Sequence, residues 1–224
     1  MDGNGRWAKQ KKLPRILGHR NAIKAVRETV ETCVELGIET LTLYAFSTEN
    51  WKRPEKEVDL LMRLFEEYLN KEFSTIVDNQ IRLLLIGKKE QLPSYVQRPL
   101  EKSLEATLNN RGMNLCLAMD YGARDEITRA CKEIAQKVKD GKLDVDAIDE
   151  ALLSNSLFTK GLSDPDLIIR TSGEIRLSNF LLWQAAYSEF YFTPVLWPDF
   201  NREELMKAFQ EYSQRVRRLG KVDV

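Results

Sequence analysis

The chain opens MDGNGRW, which sets an acid, two glycines, an asparagine, an arginine and a tryptophan side by side. Glycines at positions 3 and 5 let backbone N–H groups come close to a bound anion, and Arg6 stands beside them. Further arginines sit in similar company: Arg15 and His19 soon after the opening, Arg53 in STENWKR, and Arg170 and Arg176 in RTSGEIRLSN. A guanidinium fork matches phosphate oxygens two at a time, and each such charge-assisted bond is worth about 1.5 to 3 kcal/mol net. Any one of these arginines is as well explained by a solvated surface ion pair, which contributes little. The set as a whole selects a small, multiply charged anion. Asp2 and Glu189 add hard oxygen donors of the kind that hold Mg2+ together with phosphate oxygens, although a lone Asp beside a glycine also suits a turn.

Other chemistries lose support. His19 is the one histidine of the chain, so histidine-rich metal sites are excluded and a Ser-His-Asp triad would depend on it alone. It suits a buried hydrogen-bonding role equally well. No GxSxG, GxxxxGK[ST] or GxGxxG pattern occurs, which weakens hydrolase and nucleotide-fold readings. Lys plus Arg and Asp plus Glu both total 34, so a general electrostatic hold on nucleic acid is not expected. Cys33, Cys116 and Cys131 lack CxxC spacing and lie in apolar patterns, as buried free thiols do. A reducing, cytoplasmic setting is the expectation. Apolar runs such as LLLIG and FLLW are far short of a membrane span, leaving at most contact with a membrane periphery.

These residues need elements to hold them. Ile23, Val26, Val30 and Val34 recur at helical spacing before Gly37, predicting a helix over about 21–36. The strand TLTLYAF follows, then a long amphipathic helix over about 55–79 that starts after Pro54. Strand IRLLLIG, a helix over about 94–110, strand MNLCLAMDYG and a helix over about 124–139 continue the alternation. A short helix near 146–153, strand DLIIR, a helical SNFLLWQAAY, strand EFYF and a last helix over about 202–218 complete it. Strands alternating with helices imply an α/β fold: a single domain over 1–224 with a central parallel sheet covered by helices on both faces. Ligands of such sheets sit beyond the carboxyl ends of the strands. The segments at those ends, STENWKR, DYGAR, RTSGEIRLSN and TPVLWPDF, are where arginines, hydroxyls and aromatics gather.

With MDGNGRWA, GHR, LYAFSTENWKRP, DYGAR and RTSGEIRLSNFLLWQAAYSEFYFTPVLWPDF in order, the chain resembles the cis-prenyltransferase family, most nearly the bacterial undecaprenyl diphosphate synthases. The resemblance implies Mg2+-dependent, repeated addition of isopentenyl diphosphate to an allylic diphosphate such as farnesyl diphosphate, each step leaving a cis double bond. It further implies an apolar tunnel for the product, a homodimer, and a polyprenyl diphosphate that serves as a carrier-lipid precursor for cell-wall synthesis. Carried over, Asp2 would hold Mg2+ against the allylic diphosphate, with Gly3, Asn4, Gly5, Arg6, Trp7, Arg15 and His19 around that substrate. Ser47, Thr48, Glu49, Asn50, Trp51 and Arg53 match the second loop, in which the family assigns proton removal to Asn50. Arg170, Arg176, Leu177 and Ser178 match the isopentenyl diphosphate clamp, Glu189 the second metal ligand, and Arg218 with Gly220 an RxG element that reaches the partner's site. Ile175 stands where relatives often carry a polar residue. An apolar strand is expected ahead of the first motif, where this sequence begins. A non-catalytic binding subunit on the same fold is the competing reading; such partners lose the acids and arginines that this chain keeps.

Overall fold

The computed structural model describes residues 1–216. Its elements, in chain order, are α1 (Asn4–Gln10), α2 (Arg15–Glu35), β1 (Thr40–Ser47), α3 (Glu55–Asp78), β2 (Arg82–Gly87), α4 (Ser94–Ala106), β3 (Asn114–Tyr121), α5 (Ala123–Lys139), α6 (Glu150–Ser154), β4 (Leu167–Arg170), β5 (Glu189–Phe192) and α7 (Arg202–Ser213). The expected parallel α/β architecture is present, its strands flanked by helices. The strands pair as two parallel sheets, β1-β3-β2 and β4-β5. The residues group into two compact units, 33–163 with 178–183, and 1–32 with 164–177 and 184 onward.

In the first of these units β3 is the central strand, and every residue from Leu115 to Tyr121 is buried. A strand covered on both sides and both faces has no place for alternation, which is why NLCLAM reads as one apolar run. β1 and β2 start level on it, with Thr40 and Arg82 both opposite Asn114. The helix α3 turns Val58, Met62, Leu69 and Ile76 inward at four- and seven-residue steps, each burial worth about 1.5 to 3 kcal/mol. It packs on α4, and both lie against β2. Gly87 ends β2 at φ +115°, where a Cβ would stand 1.9 Å from the Met119 carbonyl oxygen. At the end of β3, the Tyr121 hydroxyl donates to Glu126 at 2.6 Å, and the other oxygen of that carboxylate accepts from the Phe158 N–H at 2.7 Å. This carboxylate, wholly buried, fastens α5 to the segment after α6.

In the other unit, β4 and β5 run parallel with Arg170 opposite Phe192, and α7 packs on β5. Trp197 and Phe200 stack 5.4 Å apart, and the Trp197 indole donates to the Ala22 carbonyl of α2 at 3.3 Å.

Several expectations are corrected. The segment 178–187, expected as helix, is a run of turns, because Ser178, Asn179 and Leu181 adopt positive φ that no α-helix accommodates. The opening motif, to which the sequence pattern assigns no element, contains the short helix α1. Cys131 is exposed: α5 buries Ala123, Glu126, Ala130 and Ile134, and position 131 falls off that face. Cys33 and Cys116 are buried as expected, and burial pushes each thiol up to about 12. The last helix ends at Ser213 rather than near 218. Arg218 and Gly220 lie outside the described residues. No helix among the described residues is long and apolar enough to cross a membrane.

Candidate active site

The acid and arginine residues of the opening motif meet those that follow β4, within one unit. Gly3 caps α1 at φ +95°, and a side chain there would run into Ser172, whose Oγ would lie 2.2 Å from the added Cβ. The turn folds the Asp2 carboxylate back so that Oδ1 accepts from the Gly3 N–H at 2.7 Å. Oδ2 accepts from Arg170 Nη2 at 3.0 Å, and Arg6 Nη2 lies 3.6 Å from Oδ1. Burial raises the Asp2 pKa, but the Gly3 N–H and the Arg170 guanidinium outweigh it and hold the carboxyl below its ordinary value. The backbone of Asp2 is itself clasped: Thr171 Oγ1 lies 3.2 Å from both its N and its O, and the Trp197 N–H donates to its carbonyl at 2.9 Å.

A second carboxylate links the arginines to each other. Glu174 Oε1 is 3.0 Å from Arg6 Nη1, and Oε2 is 2.5 Å from Arg176 Nη1. Arg6 also donates to the Ser172 carbonyl at 3.1 Å, and Arg170 to the Arg176 carbonyl at 2.9 Å. Three guanidiniums and two carboxylates thereby form one connected, partly solvated cluster. The turn that carries it is tight: Ser172 has φ +77° and Gly173 φ +69°, and their N–H groups donate to Val195 and Thr193 at 2.8 Å each. Ile175 is 76% exposed, so the cluster closes through its neighbour Glu174 instead.

The remaining predicted residues of this unit fall into place around it. Asn4 Nδ2 and His19 Nδ1 lie 3.3 Å apart, joining α1 to α2. Gly5 lies under Arg15, where a Cβ would be 3.1 Å from Nε. Trp7 is buried and donates to Asp199 at 2.7 Å, which makes it an anchor of α1 in the core. Leu177 is half-buried. Glu189 lies in the same unit as Asp2. It begins β5 opposite Leu167, three residues back along the pair from Arg170, or about 10 Å at roughly 3.3 Å per residue, and it pairs with Arg215 at 2.9 Å.

The second loop belongs to the other unit and leaves the carboxyl end of β1. Asn50 Oδ1 accepts from the Ser47 N–H at 3.1 Å, and the Trp51 indole donates to Asp120 Oδ1 at 2.6 Å. Trp51 also meets Phe46 edge-on at 4.9 Å. Burial raises the Asp120 pKa, partly offset by the Trp51 bond. Arg53 pairs with Glu57 at 3.2 Å, and Thr48 lies against Gly122. Glu49 accepts from Asn179 at 2.8 Å; burial raises its pKa, but that bond and others in the loop carry it below the ordinary value. Ser178 is exposed, at φ +51°.

A family model described as undecaprenyl diphosphate synthase matches residues 1–220. The chain belongs to this family. An isoprenyl transferase of Bacillus subtilis is 54% identical over 220 residues, spanning 98% of this chain and 85% of that protein. The isoprenyl transferase of Clostridium perfringens is 50% identical over 98% of this chain and 87% of its own length. A lavandulyl diphosphate synthase from Lavandula x intermedia, solved with dimethylallyl diphosphate, superposes with a TM-score of 0.96 at 39% identity, covering 99% of this chain and 95% of that one. As a member of the undecaprenyl diphosphate synthase family the protein is an enzyme of the cis-prenyltransferase type.

Residues that sequence reasoning did not single out hold this family's motifs in shape: Thr171 and Glu174 around Asp2 and the arginines, Asp120 and Asn179 around the second loop. All four lie inside stretches already marked as chemical, RTSGEIRLSN and DYGAR. The available signal for Glu174 was an acid placed between two arginines. Among the described residues no three acids, cysteines or histidines converge as a ready metal cage. Asp2, a partly exposed and readily ionised carboxylate, suits an ion whose other ligands come from phosphate oxygens.

Proposed function

We propose that the protein catalyses sequential cis-condensation of isopentenyl diphosphate onto an allylic diphosphate, farnesyl diphosphate in the first instance, to give a long-chain polyprenyl diphosphate of the undecaprenyl type. The cluster of Asp2, Arg6, Arg170, Glu174 and Arg176 carries this reading. Departure of diphosphate from an allylic carbon develops negative charge on oxygen, and guanidiniums already held in place stabilise it without reorganising. Asp2 would hold Mg2+, which when bound supplies further neutralisation of that charge. Isopentenyl diphosphate attacks through its alkene and then loses a proton. The Asn50 carboxamide oxygen already accepts from Ser47, and a carboxamide is a poor base in any case. Asn50 therefore orients substrate, and a diphosphate oxygen or a water takes the proton. Glu189, which pairs with Arg215 at 2.9 Å, would serve as the second ligand of the ion. The family match runs through both compact units, in support of one activity for the whole chain. A cytoplasmic homodimer that delivers product to a membrane surface, as precursor of a cell-wall carrier lipid, completes the proposal.

The test is direct. Radiolabelled isopentenyl diphosphate is incubated with farnesyl diphosphate and Mg2+, and the mixture is extracted into butanol after acid hydrolysis. Label should enter the organic phase as products of many isoprene units, and chelation of Mg2+ should abolish it. Label that stays aqueous with active substrate stocks would overturn the proposal.

A further inference from the structure

We infer that Asn179 is a positioning residue that sets the second loop against the start of α5, an inference that rests on the prenyltransferase reading above. The helix α5 begins after Gly122, which offers no side chain to cap it. The first-turn N–H groups are satisfied from elsewhere in the chain: Ala123 N–H donates to the Asn179 carbonyl at 2.9 Å, and Arg124 N–H to Asn179 Oδ1 at 2.9 Å. A backbone N–H can only donate, so it must face the amide oxygen, and the orientation of the carboxamide is chemically fixed. Its Nδ2 is then directed to Glu49 Oε1 at 2.8 Å.

The position is built for this task. Asn179 sits at φ +65°, a left-handed conformation that asparagine tolerates better than most residues. A Cβ on Gly122 would come within 2.7 Å of both Asn179 Nδ2 and Thr48 Oγ1, so the glycine is what lets the amide reach the loop. Asn179 also directly follows Ser178, the clamp residue of the resemblance. One side chain thus ties three segments that leave the carboxyl ends of strands: the loop of Asn50, the start of α5 and the turn of Ser178. The Trp51 bond to Asp120 ties the same loop at a second point.

The experiment exchanges donor and acceptor. Asn179→Asp keeps an oxygen for the Arg124 N–H, and an aspartate caps a helix at least as well, but it turns the contact with Glu49 into two facing carboxylates. The full-length protein should keep its melting temperature to within about 2 °C, while kcat/KM for isopentenyl diphosphate falls about 10- to 100-fold. Adding Glu49→Gln supplies a new amide donor to the new carboxylate, and the double variant should recover to within about threefold of Glu49→Gln alone. Unchanged kinetics in Asn179→Asp would overturn the inference, as would a loss that Glu49→Gln fails to repair. A wild-type protein that makes no polyprenyl product would sink the reading beneath it, which the same assay reveals before any variant is made.

Discussion

A carboxylate lying between two guanidiniums in a site proposed for diphosphate is either a competitor of the substrate or a brace for the arginines, and Glu174 forces that choice. Arg6 and Arg176 are 46% and 59% exposed in their side chains, so each pairing with Glu174 is worth on the order of 0.2 to 1 kcal/mol, which a diphosphate easily displaces. Each freely moving arginine carries roughly 2 kcal/mol of rotamer entropy that binding would have to remove. The brace is the larger effect. Glu174→Ala should therefore raise KM for isopentenyl diphosphate about tenfold, equivalent to roughly 1.4 kcal/mol, with Glu174→Gln in between because an amide oxygen can still accept from one arginine. Steady-state kinetics decide it, and an equal or lower KM in both variants would make Glu174 a competitor. The acids and arginines of the candidate site were legible in the sequence because their residue types are rare in combination. Thr171, Glu174 and Asn179 were harder to read: Glu174 stood out only as an acid between two arginines, and a threonine or an asparagine carries no signal until turns of positive φ bring it onto its partners.

At the level of elements, most of the fold was legible because period and punctuation agree. Pro54 opens α3, and the interior strand β3 is apolar throughout. The exception is instructive: SNFLLWQAAY has apolar spacing that a helix would use, yet Asn179 spends its side chain on α5 and Glu49, and the chain there is turns. The same elements bear on product length. Substrate chemistry belongs at the carboxyl ends of parallel strands; in the proposed reaction a hydrocarbon product would run along a wall drawn from Val58, Leu61, Leu64 and Phe65 of α3, with Leu84, Ile86 and Met113 as candidates for its far end. Met113 immediately precedes β3 at that far end, is 6% exposed, and accepts from the Arg82 N–H at 2.9 Å. The strand's eight residues span about 26 Å at roughly 3.3 Å each. Met113→Ala removes side-chain volume there at a cost of about 2 to 5 kcal/mol in stability, without touching the diphosphate residues. Its products should be longer than those of the wild type on reverse-phase separation, and an unchanged distribution would exclude Met113 from the floor of the tunnel.

For the whole molecule the proposed reaction sets a water-soluble pair of substrates against a product that would gain hydrocarbon at every step. Each added unit brings four or five carbon groups out of water, about 3 to 4 kcal/mol at roughly 0.8 kcal/mol per CH2, and the gain accumulates while the charged head stays the same. In the proposed reaction elongation would be driven forward by burial, and the same burial would oppose release, because the finished chain must return that free energy on entering water. No described helix is long and apolar enough to cross a bilayer. Chemistry should accordingly be faster than turnover: a first round of product forms in a burst, followed by a slow steady state limited by release. A nonionic detergent or lipid vesicles should raise the steady-state rate several-fold and leave the amplitude of the burst unchanged, since they accept product but do not alter the arginine cluster. Rapid-quench measurements with and without detergent separate the two phases, and a steady state indifferent to detergent would place the slow step in bond making rather than in the departure of the chain.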